Sequence, residues 1–236
     1  RITKEDVLAA AEVAQAAPAQ AASTPQAAPQ RAAAPASGGA PAEGQTTRFN
    51  AMRRAIAKNM LASHQNIPPV TLNGYADVSR LLEMRRELNE EDPDNKLSVN
   101  DFVLKATIEA LRRHPRVNAT VDMEAEEVVE YGSVNLGFAV ALADGLIVPK
   151  IEQAETLSLR GLGARVRELA GKARDKSIPP EELSGATFTV TNLGMYGITT
   201  FTPIINPPQA GILGVGSIED DLRLADDGSV TVRKTM

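Results

Sequence analysis

Between Val13 and Phe49 the chain carries no large apolar side chain; Ala, Pro, Gln, Ser and Gly fill the interval. A stretch of that make-up has too little to bury against the entropy of ordering it, so it is excluded from any packed core. Its repeated Ala-Pro steps favour extended, polyproline-like conformers, so residues 13–47 are expected to form a disordered but semi-stiff tether. The globular body must therefore lie in residues 48–236. Ahead of the tether, residues 1–12 offer one short helical segment with Thr3 as its cap, too short for a domain of its own.

Composition narrows the chemistry. The chain has no Cys, which excludes disulfides, thiolate metal sites and a Cys nucleophile. Only His64 and His114 are present, so a multi-histidine metal centre is not expected. The formal net charge is -5, with basic residues scattered among acids, and nucleic acid is not an expected partner. No apolar run is long enough to span a bilayer.

Within 48–236, apolar periodicity predicts helices over 50–63, from Ser79 through Leu88, from a Ser98 cap to Pro115, and over 158–176. Alternating or short apolar runs predict strands over 70–78, 127–131, 133–142, 146–151, 186–193, 211–218 and 229–233. Ala143-Asp144-Gly145 reads as a hairpin turn. Helices and strands are interleaved and one strand pair is antiparallel, which points to an α+β fold with a mixed sheet.

Few segments carry chemistry. Thr189-Val-Thr-Asn-Leu-Gly194 leads a strand into a turn, a place where hydroxyl and amide side chains often do functional work, although exposed threonines before a turn are equally ordinary. Asn206-Pro207-Pro208 reads as a rigid corner. Gly211-Ile-Leu-Gly-Val-Gly216 has the look of a phosphate cradle, but no helix opens after it, so close backbone packing is the better reading. His64 and His114 have no Asp or Ser at relay spacing and are read as structural or surface residues. The pairs Arg53-Arg54 and Arg85-Arg86 are read as solvated helix faces, with anion contact as the alternative.

Three blocks in order, MRRAIAKNMLASHQNIPPVTL, GFAVALADGLIVPKI and LSGATFTVTNLGMYGITTFTPIINPPQAGILGVGSI, strongly resemble the acyltransferase domain of the dihydrolipoamide acyltransferase (E2) family of 2-oxo acid dehydrogenase complexes. The best match is to the acetyl-transferring type of pyruvate dehydrogenase complexes. The resemblance implies a chloramphenicol-acetyltransferase-like fold over 48–236, and a remnant of a peripheral subunit-binding domain at 1–12. It implies acyl exchange between a dihydrolipoyl thiol and coenzyme A. The implied partners are further copies, as homotrimers stacked into 24-mer or 60-mer cores, together with the E1 and E3 components and a lipoyl domain. A bacterial cytoplasm, or a mitochondrial matrix in a eukaryotic host, is the implied compartment.

By the same resemblance, Thr191 takes the position of a hydroxyl that donates to the developing oxyanion, and it also borders the coenzyme A pocket. Asn192, Arg85, Ser98 and Gly216 match positions at that pocket, Arg85 as an anion partner. The family's general base lies in a DHRxxDG-type motif. No such motif occurs here, and neither histidine matches it. The chain, which opens on Arg1, is accordingly read as a fragment truncated before that motif, with little transferase activity of its own expected. A catalytically silent, scaffold-type relative is the alternative.

Overall fold

The structure is a computed structural model, and it describes residues 46–143, 145–224 and 227–236. The remnant at 1–12 and nearly all of the tether at 13–47 lie outside the described residues. The unit Arg48–Met236 carries everything that follows.

Four α-helices form where the apolar spacing places them: α1 (Ala51–Asn66), α2 (Ser79–Glu91), α3 (Val99–Arg113) and α4 (Leu159–Arg174). The starts of α1, α3 and α4 follow from short polar cap side chains that satisfy first-turn N–H groups. Asn50 accepts from the Arg53 N–H at 2.8 Å and Ser158 from that of Gly161 at 3.1 Å. Ser98 and Asp101 form a reciprocal box: the Asp101 N–H donates to Ser98 Oγ at 3.2 Å, and the Ser98 N–H to Asp101 Oδ2 at 2.8 Å. Asp101 is a buried acid held by this arrangement.

The strands are β1 (Ala119–Asp122), β2 (Glu127–Glu130), β3 (Leu136–Phe138), β4 (Val140–Leu142), β5 (Gly145–Ile147), β6 (Lys150–Ile151), β7 (Phe188–Asn192), β8 (Ile212–Val215), β9 (Glu219–Leu224) and β10 (Val230–Thr235). Strands β6, β3, β7 and β8 form a mixed four-stranded sheet in that order. The β3–β7 and β7–β8 pairs are parallel and β3–β6 is antiparallel. The remaining strands form three antiparallel ribbons, β1–β2, β4–β5 and β9–β10. The core lies where α3 and α4 meet the sheet, with Leu104, Ile108, Leu136, Leu162, Leu169 and Val190 buried together. Each such aliphatic side chain contributes roughly 1.5–3 kcal/mol on burial. The α+β class with a mixed sheet stands as expected.

Several local expectations are corrected. Residues 70–78 alternate in hydropathy yet form no strand, because no neighbour lies alongside most of them. Val70 and Leu72 are 86% and 90% exposed, and only Ala76 and Val78 reach a partner, bonding to the backbone of Met236 and Lys234. The apolar run at 133–142 is two strands broken at Ala139, and the one at 146–151 is split by Pro149. That proline lets the chain leave the β4–β5 ribbon and rejoin the sheet as β6. Strands β1 and β9 were not anticipated: β1 is only four residues long, and β9 opens on three acids.

Candidate active site

The parallel strands β7 and β8 end side by side, and both chains then turn over one another. Gly194, just past β7, lies on the backbone of Gly216, just past β8; a methyl group on Gly194 would run into the Gly216 carbonyl. A methyl group on Gly216 would in turn run into the Thr199 carbonyl. Three backbones are thus in direct contact, which is why the Gly211–Gly216 pattern needs its last glycine.

Beside this crossing is a cavity of about 650 Å³. The start of α3 supplies Ser98, Val99 and Asn100; β3 supplies Phe138; β7 supplies Val190 and Asn192; Met195, Gly216, Ser217 and Arg174 complete the wall. Asn192 is doubly fixed. Its Oδ1 accepts from the Gly194 N–H at 2.9 Å, and its Nδ2 donates to Asn100 Oδ1 at 3.2 Å. Ser98 Oγ accepts from the Asp101 N–H, so the hydroxyl's own proton is left for the cavity. The floor of Phe138, Val190 and Met195 is apolar, and the polar groups stand at its edges, the usual make-up of a small-molecule site.

Three of the residues singled out from sequence, Ser98, Asn192 and Gly216, come together here. Two do not line the cavity. Thr191 alternates with Asn192 along β7 and so projects to the opposite face of the sheet. On that face Thr189 donates to the buried Gln209 at 2.6 Å. Arg85 donates through Nε to the Leu97 carbonyl at 2.8 Å and, with Asn89, braces the loop just ahead of Ser98. His64 is exposed in the last turn of α1 and His114 is the exposed C-cap of α3; neither stands at the cavity.

Asn100, Phe138, Met195 and Arg174 were missed from sequence. Asn100 could have been found, since it stands two residues beyond the Ser98 cap on the same helix end. Arg174 gave no usable signal: a cation in the last turn of a helix reads as a partner of the helix dipole.

A family model described as 2-oxoacid dehydrogenases acyltransferase (catalytic domain) matches residues 41–236. The chain belongs to that family. It is 42% identical over 172 residues to the dihydrolipoyllysine-residue acetyltransferase component of the acetoin cleaving system of Bacillus subtilis, covering 72% of this chain and 43% of that protein. It is 39% identical over 176 residues to the mitochondrial pyruvate dehydrogenase protein X component of Mus musculus, covering 75% of this chain and 34% of that one. This acyltransferase-family chain therefore spans less than half the length of these curated relatives. Among solved structures, the dihydrolipoamide acetyltransferase of Azotobacter vinelandii superposes with a TM-score of 0.77 at 33% identity, covering 82% of this chain and 80% of that one. The cubic core of the pyruvate dehydrogenase multienzyme complex gives a TM-score of 0.77 at 32% identity, with the same two coverages. Among the described residues, no helix of this family member is long and apolar enough to cross a membrane.

Proposed function

We propose that this chain is the acyltransferase core of a 2-oxo acid dehydrogenase complex, and that it moves an acyl group, acetyl in the first instance, between a dihydrolipoyl thiol and coenzyme A. The observation that carries the reading is the cavity at the ends of β7 and β8. In a chain of this family it gathers Ser98, Asn192 and Gly216 on one apolar floor. The floor suits the pantetheine arm of the acyl carrier. The free Ser98 proton and the unengaged Asn100 amide hydrogens are donors for its amide carbonyls.

In the reaction one thiol sulfur attacks the carbonyl carbon of the other carrier's thioester. A carbon–sulfur bond forms, the original one breaks, and the proton lost by the attacking thiol ends on the departing thiolate. Negative charge gathers on the carbonyl oxygen between these events. By resemblance the Thr191 hydroxyl is the donor proposed for it; Thr191 stands on the β7 face opposite the cavity, so the role requires the reacting thioester to pass the end of β7 to that face, and the β-branched side chain restricts the rotamers available to the donor. Proton transfer needs a base at the attacking thiol. Neither His64 nor His114 lines the cavity, so the chain by itself is expected to bind coenzyme A and to transfer slowly.

The proposed assembly is a homotrimer stacked into a 24-mer or 60-mer core, serving E1 and E3 components and a lipoyl domain. Its proposed compartment is a bacterial cytoplasm or a mitochondrial matrix. Likeness to the cubic core supports the assembly, as do apolar side chains left open on the β9–β10 ribbon, Leu222, Leu224, Val230 and Val232. A second reading, a catalytically silent scaffold, is favoured by the likeness to the protein X component and by the absence of a cavity histidine.

The test is to mix the chain with acetyl coenzyme A and dihydrolipoamide and to follow S-acetyldihydrolipoamide. Slow, saturable transfer above the uncatalysed rate supports the enzyme reading. Saturable coenzyme A binding without transfer supports the scaffold. Neither binding nor transfer refutes both.

A further inference from the structure

Helix α1 rests on the body by one face. Met52 and Ile56 lie against Gly145 at the start of β5, and Ser63 Oγ donates to the Ile205 carbonyl at 2.6 Å. Helical periodicity brings Arg54, Lys58, Leu61 and Gln65 together on the opposite face, and all four are exposed. The helix holds no acid, and among the described residues the side chains of Arg53, Arg54 and Lys58 have no partner. On the other helices Arg80, Arg86, Arg112 and Arg165 each meet a carboxylate three or four positions away. The β1–β2 ribbon has the reverse make-up: Ala119 to Glu130 carries five acids and no Lys or Arg. Asp122 serves its own turn, accepting from the Glu124 and Ala125 N–H groups, and Glu130 has Arg116 at 3.9 Å. Glu124, Glu126 and Glu127 meet no cation among the described residues, and Met123 and Val128 stand exposed beside them. Both elements hang from one stretch of chain. Asn59 Nδ2 donates to Asn206 Oδ1 at 3.0 Å, while the Val121 N–H donates to the Pro208 carbonyl and the Ala210 N–H to the Ala119 carbonyl. Within one copy, no ion pair among the described residues joins the cationic helix to the acidic ribbon.

We propose that α1 of one copy docks by its Arg54, Lys58 and Leu61 face on the β1–β2 ribbon of a second copy, its cations against Glu124, Glu126 and Glu127 and Leu61 against Met123 and Val128. This rests on the assembly reading above. The two surfaces are oppositely charged and each carries an exposed apolar side chain among its charges, so they complement one another in both respects. They are also different patches of one chain. The contact is therefore heterologous: each copy offers α1 to one neighbour and its ribbon to the next, and a rotation that closes makes a ring. Fixed opposite charges set the register and speed of such an encounter, and salt screens them.

The test is charge reversal, read by light scattering of the full 236-residue chain over a dilution series at low and high salt. One variant joins Arg54→Glu to Lys58→Glu, a second joins Glu124→Lys to Glu127→Lys, and a third carries all four changes. Each is checked by circular dichroism. Either pair of reversals is expected to raise the concentration at which the particle half-dissociates by roughly tenfold or more, because like charges then face each other. The four changes together are expected to restore the wild-type mass and its response to salt. The chain has no Cys, so Leu61→Cys combined with Met123→Cys gives a second readout that reverses no charge. A short bismaleimide is expected to link separate copies of that variant, and linkage within single copies alone overturns the contact. Reversals that leave the mass unchanged overturn it too, and hand α1 to some other acidic partner. So does a four-change variant that dissociates as far as either pair. In both cases the assembly reading stands. If the wild-type chain is a monomer at every concentration, that reading falls and the contact with it.

Discussion

At the scale of single residues, the alternation of β7 places the two roles proposed for Thr191 and Asn192 on opposite faces of the sheet. Asn192 faces the cavity and is held by Gly194 and Asn100; Thr191 faces the other side of the sheet. Removing them should therefore have different consequences. If Thr191 is the proposed oxyanion donor, Thr191→Ala is expected to lower the transfer rate by roughly a hundredfold with coenzyme A affinity nearly unchanged. Asn192→Ala is expected to weaken coenzyme A binding first. Separate measurement of kcat and of equilibrium binding distinguishes the two, and matching losses in both variants would contradict the division. The crossing of backbones behind them is equally specific. Gly216→Ala is expected to destabilise the fold by about 1–3 kcal/mol, because the added methyl meets the fixed Thr199 carbonyl, and urea unfolding reads this directly.

At the scale of elements, the structure explains what sequence patterning carries and what it does not. Helices α1, α3 and α4 were legible to within a few residues because a side-chain cap and an apolar stripe agree at each. Strands were less legible. Residues 70–78 have the alternation of a strand but lack a partner along most of their length, and pairing is a property of the fold rather than of the segment. Ser98, Asn192 and Gly216 were reached through the family resemblance rather than from their own motifs, while Arg174 was not reached at all: it comes to the cavity only because α4 ends there. Helix α4 also carries a charge cluster with a pH signature. The Lys172 ammonium and the Arg165 guanidinium, both hydrogen-bonded to Glu168, hold its carboxyl down from its usual 4.5 to about 2. A carboxyl lowered in the folded state adds stability that is present above 4.5 and lost as pH falls toward 2. Thermal midpoints of the wild type should thus drop through that window more steeply than those of Glu168→Gln. The difference should be small, since the group is open to solvent.

At the scale of the whole molecule, exposed apolar side chains on the β9–β10 ribbon and at Val70, Leu72 and Tyr75 mark surface that a monomer leaves wet. Light scattering should accordingly return particles of at least three times the 25.1 kDa chain mass. A monodisperse monomer would contradict the core assembly. The central claim is that the acyl carrier enters at the joined ends of β7 and β8. Hydrogen exchange of the chain with and without coenzyme A tests it most directly. Added protection should fall on residues 98–100, 192–195 and 216–218, whereas protection elsewhere with those three segments unchanged would contradict it.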